Sequence, residues 1–128
     1  MKENELRTQL EIIISETDFN EVLKLQMVIL YVFVDWSAQE LFSRDIISQA
    51  LNQIEDKKVP VFMIDCSSQE QKHVEKWLLN QKNEAFSYGG FGETLLLKEG
   101  EIIDFIKYPA SLGFDKTKEK LENWLKMI

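Results

Sequence analysis

One cysteine, one histidine and a Ser-x-x-Glu step carry most of the chemistry open to this 128-residue sequence. Cys66 follows the apolar run VPVFMI by two residues and precedes SSQE, which places it near a helix N-terminus. There the helix dipole lowers a thiol pKa and raises the thiolate fraction available for mixed-disulfide formation or reaction with peroxide. Adjacent Asp65 opposes thiolate formation, and a small thiol at a strand end is also an ordinary core residue. Cys66 is therefore either the weak catalytic candidate of a single-cysteine thiol enzyme or an inert packing group. His73 lies among Lys72, Glu75 and Lys76 without a Cys or His companion, so it reads as solvated surface rather than a metal ligand. Asp35, Glu40 and Glu93 could converge as paired carboxylates for acid/base work or a weak divalent-ion site, but caps and loop ends explain acidic residues in so acidic a chain. No metal and no cofactor is expected.

The stretch VDWSAQELF joins an apolar run to an amphipathic one. In it the Ser37 hydroxyl oxygen can accept from the amide three residues on, while the Glu40 side chain can reach back to the Ser37 amide, which is a helix capping box. Trp36 lies in the same stretch, and Tyr88 and Phe91 lie in SYGGFGE, whose three glycines point to special backbone angles or close approach. Exposed aromatics beside a groove serve as binding anchors; the alternative is that Tyr88 and Phe91 seal the core beneath a loop.

These residues must be positioned by one domain spanning 1–128, since no repeat, low-complexity tract or linker composition divides the chain and 45% hydrophobic residues supply a core. A net charge of -7 and 15 scattered basic residues argue against nucleic acid and anionic membranes as partners, because both demand clustered Lys and Arg. The start MKENELRTQLE lacks the apolar centre of a signal peptide, and MVILYVFV is too short to span a bilayer. With only one cysteine no intramolecular disulfide can form, and a reducing, cytoplasmic setting is expected.

Leu6, Leu10, Ile13 and Ile14 fit a helical stripe, but EIII followed by SETDFNEV reads as a short strand entering a helix capped by Asp18 and Glu21. Met27 to Val34 is β-branched and aromatic throughout and predicts a central strand buried on both faces. Leu41, Phe42, Ile46, Ile47, Ala50, Leu51 and Ile54 predict a long helix leaving its end. VPVFMI is a third strand and SSQEQKHVEKWLL a third helix. TLLL and IIDFI form a hairpin around Gly100, and Leu121, Trp124, Leu125 and Ile128 mark a closing helix. The expected order is βαβαβαββα, an α/β domain with a central mixed sheet flanked by helices.

That order and its local sequences resemble the thioredoxin-like superfamily over nearly the whole chain. IIISETDFNEVL resembles the first strand and helix, VILYVFVDW the central strand with the tryptophan before the redox motif, and ETLLLKEGEII the cis-proline strand and hairpin. The resemblance implies that Ser37-Ala38-Gln39-Glu40 stands where thioredoxins carry Cys-Gly-Pro-Cys, that Glu93 stands at the cis-proline, and that Tyr31 replaces a buried aspartate. A non-proline cis bond costs roughly 2.5 to 4 kcal/mol, so the Gly92-Glu93 peptide is expected to be trans. Between Asp65 and Tyr88 the chain is longer than in short thioredoxins, which extends the helix carrying Trp77.

Exchange needs an attacking thiolate and a resolving thiol, and neither serine nor glutamate supplies one. The expectation is a redox-inactive thioredoxin-like protein, a protein-interaction or adaptor module. Its remodelled rim of Trp36, Ser37, Glu40, Tyr88, Phe91 and Glu93 would meet a protein or peptide partner. The alternative is a thiol oxidoreductase or peroxide-reactive protein acting through Cys66.

Overall fold

The computed structural model describes residues 11–12, 16–34, 37–54, 59–65, 76–77 and 92–127. Five strands form one mixed sheet: β1 (Glu11–Ile12), β2 (Met27–Phe33), β3 (Val61–Asp65), β4 (Thr94–Lys98) and β5 (Glu101–Ile106), in the spatial order β1-β3-β2-β4-β5. β1 and β2 run parallel to β3, whereas β4 pairs antiparallel with β2 and β5 antiparallel with β4. The helices are α1 (Glu16–Leu23), α2 (Ala38–Gln53), the one-turn α3 (Pro109–Leu112) and α4 (Phe114–Leu125).

β2 is central, as its unbroken apolar run predicts, and its two faces feed two cores. Val28, Leu30 and Val32 pack with Phe19 and Val22 of α1, Ile64 and Leu95, while Ile29 and Tyr31 face Ile47, Ala50 and Leu51 of α2 and Leu121 and Trp124 of α4. A strand covered on both sides has no polar face to show, so it loses the alternation of a half-exposed strand. Lys76 and Trp77 carry helical backbone, and the Trp77 ring meets Phe19 edge-on, with centroids 5.5 Å apart. The rest of the predicted third helix lies outside the described residues, as do Ile13, Ile14 and Ile128.

Two expectations are corrected and two features are additional. The backbone of α1 is already helical at Glu16, so Asp18 lies inside its first turn and is not its cap. α3 is an additional element that apolar spacing could not reveal; Pro109 opens it, where proline's missing N–H leaves no bond unmade. β5 skips a residue: Leu97 pairs with Ile102 and Leu96 with Asp104, leaving Ile103 at a bulge. The bulge turns Asp104 toward α4, where its carboxylate accepts from the Trp124 indole at 2.8 Å and pairs with Lys120 at 3.3 Å. Burial works against the Asp104 carboxylate, but the Trp124 indole, the Phe105 amide and Lys120 together hold its pKa below the usual range. The other correction is that Leu41 and Phe42 leave the apolar stripe of α2 and stand 58% and 67% exposed.

Candidate functional site

β2 ends at Phe33 and α2 begins at Ala38, so the segment between them brings a strand end and a helix N-terminus to one place. Ser37 is the N-cap, its extended backbone holding a hydroxyl oxygen that accepts from the Glu40 amide at 3.2 Å. This half of the expected capping box is present. The other half is replaced, because the Glu40 carboxylate turns into the interior. Oε2 accepts from the Tyr31 hydroxyl at 2.6 Å and from Arg44 Nε at 2.9 Å, and Oε1 accepts from Arg44 Nη2 at 2.5 Å. The tyrosine also reaches the Glu40 carbonyl at 3.0 Å, and the Arg44 guanidinium lies 4.7 Å from the centre of the Phe33 ring.

The local sequence explains the cluster. Tyr31 and Phe33 are two apart on β2 and therefore share the face turned to α2, while Glu40 and Arg44 are four apart and share one side of the helix. A glutamate taken out of water is stable when its oxygens are filled by an arginine fork and further donors, and a phenol, a guanidinium Nε and an Nη2 fill them here. Desolvation by burial, followed by the bond to Glu40, raises the Tyr31 pKa far above its ordinary value. The bond to Glu40 is also the main reason that the Arg44 pKa is raised. Tyr31 thus stays protonated and Arg44 stays charged. With no exposed surface and its oxygens engaged, Glu40 serves as an anchor and offers a ligand no base.

Gly92 closes the cluster from above. Its φ is +73°, and a methyl group there would lie 2.5 Å from the Tyr31 hydroxyl oxygen and 2.6 Å from Ser43 Cβ. No cis peptide bond occurs among the described residues, so Gly92-Glu93 is trans as expected. The Glu93 carbonyl accepts from the Val32 amide at 2.9 Å, extending the β2–β4 pairing by one more bond. Ser43 joins the opposite side to α3, its Oγ accepting from the Ala110 amide at 3.0 Å.

Of the six residues expected at the rim, Ser37, Glu40 and Glu93 are brought together, but as interior groups exposed by 6%, 0% and 0%. They offer no exposed hydroxyl or carboxylate to a partner, which corrects the expectation of an open polar rim. Trp36, Tyr88 and Phe91 lie outside the described residues, as do Asp35, Cys66 and His73. Arg44 and Gly92 are cluster members that sequence reasoning missed. The Glu-to-Arg spacing of four and a lone tyrosine in an apolar strand were the available signals.

Among the described residues no group of three or more His, Cys, Asp or Glu is placed to hold a metal, and no helix is long and apolar enough to cross a membrane. A cavity of about 500 Å³ lies against α4, lined by Asp104, Leu112, Lys116, Lys120, Trp124 and Met127 among others, away from the Ser37 end.

The loss of Ser37→Ala is expected to destabilise the protein by about 0.5 to 2 kcal/mol, as removal of an N-cap hydroxyl does. A chemical denaturation midpoint equal to the wild-type value would show that the Glu40 amide does not depend on Ser37.

No protein-family model matches the chain, and no curated protein matches it by sequence. Solved structures match it closely in shape. The oxidised thioredoxin of Plasmodium falciparum superposes with a TM-score of 0.67 at 14% identity, covering 91% of this chain and 98% of that one. Thioredoxin O2 of Arabidopsis thaliana gives 0.66 at 15% identity over 93% and 96%, and thioredoxin F of spinach chloroplast gives 0.61 at 18% over 91% and 94%. At such identities the likeness is one of fold. The chain has a thioredoxin-like fold, with one cysteine in its sequence and Ser37-Ala38-Gln39-Glu40 at the head of α2.

Proposed function

We propose that the protein is a redox-inactive thioredoxin-like interaction module that binds a protein or peptide at the end of the sheet where β2 meets α2. The observation that carries this reading is the state of Glu40. At the position that corresponds by resemblance to the second cysteine of the redox motif, it is fully buried and bonded to Tyr31 and Arg44. A resolving thiol must be free to attack a mixed disulfide, whereas this position fixes a helix to a strand. The lone cysteine fits a reducing compartment, and we place the protein in the cytoplasm on that ground.

The purified protein is expected to show no disulfide-reductase turnover with small-molecule or protein thiol donors. The measurement is reduction of a disulfide-bonded protein substrate, with Cys66→Ala as the control. Turnover by wild type above that control would overturn the inactive reading and transfer the chemistry to Cys66.

A further inference from the structure

In the first turns of α2 the usual arrangement of a surface helix is inverted. Ser43, Ile47, Ala50 and Leu51 continue inward from Glu40 on one side of the helix, so polar Glu40 and Ser43 occupy buried positions. Leu41 and Phe42, the two most exposed large apolar side chains among the described residues, point away from the sheet. Ala38, Leu41, Phe42, Asp45 and Gln49 are all exposed and fall at helical spacing, so they form one face. The buried cluster explains why polar residues lie inside. Among the described residues nothing requires leucine and phenylalanine outside, and departures from the expected pattern without a folding rationale gather at functional surfaces.

The charges on this face choose the occupant. α2 contains no lysine, and its only cation, Arg44, is held by Glu40 and lies against Phe33. The exposed Asp45 carboxylate accepts from the Gln49 amide at 2.9 Å, an uncharged partner. A second copy of the chain would bring a net charge of -7 against -7, which disfavours self-association. A partner with apolar side chains for Leu41 and Phe42 and a cation for Asp45 is complementary in both respects.

We propose that the Leu41–Phe42 face of α2 docks an amphipathic peptide segment whose apolar residues are flanked by lysine or arginine. This rests on the reading of the protein as an interaction module and names the surface and partner chemistry of that same end of the fold.

The test uses the full chain and two synthetic helix-forming peptides, one of leucine and lysine and one with glutamate replacing each lysine, followed by backbone amide chemical shifts and affinity. The lysine peptide is expected to shift amides between 38 and 49 and to bind about tenfold or more tightly than the glutamate peptide at low salt. Leu41→Ser/Phe42→Ser, both exposed in the folded protein, is expected to weaken binding by about tenfold or more, and Asp45→Asn to weaken it less while flattening its salt dependence. Shifts centred on another surface, equal affinity for the two peptides, or unchanged binding by the double variant would each overturn the proposal. So would a dimer in sedimentation that dissolves in the double variant, since a second copy would then be the occupant. Disulfide-reductase turnover with peptide docking intact would remove only the redox-inactive reading. Absence of both turnover and docking would remove only this assignment of the surface.

Discussion

Replacing Gly92 with alanine is expected to destabilise the protein by about 2 to 5 kcal/mol, combining the cost of a left-handed backbone for a residue with Cβ and the cost of overpacking. Both terms act at one atom. The φ of +73° strains any L side chain, and the new methyl would meet the Tyr31 hydroxyl oxygen and Ser43 Cβ at distances that real carbons do not adopt. Relief requires that something move, and each neighbour is already committed. Tyr31 cannot retreat without loosening its bonds to the Glu40 carboxylate and carbonyl, and Ser43 is held by the Ala110 amide. The effect should therefore depend on Tyr31. In a Tyr31→Phe background the hydroxyl is gone, and Gly92→Ala should cost less than in wild type, a non-additivity expected of residues in contact. Chemical denaturation of the four proteins of this cycle measures it. Equal costs in the two backgrounds would show that the loop carrying Gly92 yields independently of the tyrosine.

The sheet was readable because its signals were long. Met27 to Val34 could be only a doubly covered strand, and Gly100 between two apolar runs could be only a hairpin. The head of α2 was harder to read, and the reason is physical. Helical periodicity identifies apolar residues at repeated spacing but cannot say which of two adjacent ones faces inward. Leu41 and Phe42 fit the stripe by spacing alone, and a reading from spacing carries the general assumption that polar residues stay outside. That assumption holds only where buried polar groups lack partners. Besides Arg44, four residues along the same helix, the partners come from β2 and from α3, which are separated in sequence from α2 and invisible to local pattern. Ser37 was recognised as a cap because capping is local. Glu40 was half recognised: its amide behaves as a capping box requires, and its carboxylate answers to a tyrosine nine residues earlier.

Removing that carboxylate is expected to be the other large effect. Glu40→Ala leaves the buried Tyr31 hydroxyl without its shortest bond and Arg44 without its counter-charge, a loss of about 2 to 4 kcal/mol for breaking a buried ion-paired network from one side. The loss falls below the top of the range for buried pairs because Arg44 retains 32% exposure and can turn its guanidinium toward water. Glu40→Gln keeps the shape and one acceptor but sets an amide donor against a phenol or guanidinium donor, so its cost should be intermediate. Glu40→Cys, which places a thiol where the resemblance puts the second cysteine of the redox motif, should be as destabilising as alanine under reducing conditions, because a thiol cannot fill the Arg44 fork. Arg44→Ala should also destabilise, since it leaves the fully buried carboxylate with the tyrosine as its remaining side-chain donor. The double variant Glu40→Ala/Arg44→Ala should lose less than the sum of the two single losses, because the second removal takes away a group that the first has already stranded. Denaturation midpoints for the variants test the whole set. If Glu40→Cys were as stable as wild type, the position would tolerate a thiol without penalty, and the buried cluster would cease to support the proposed redox-inactive reading of this end of the fold.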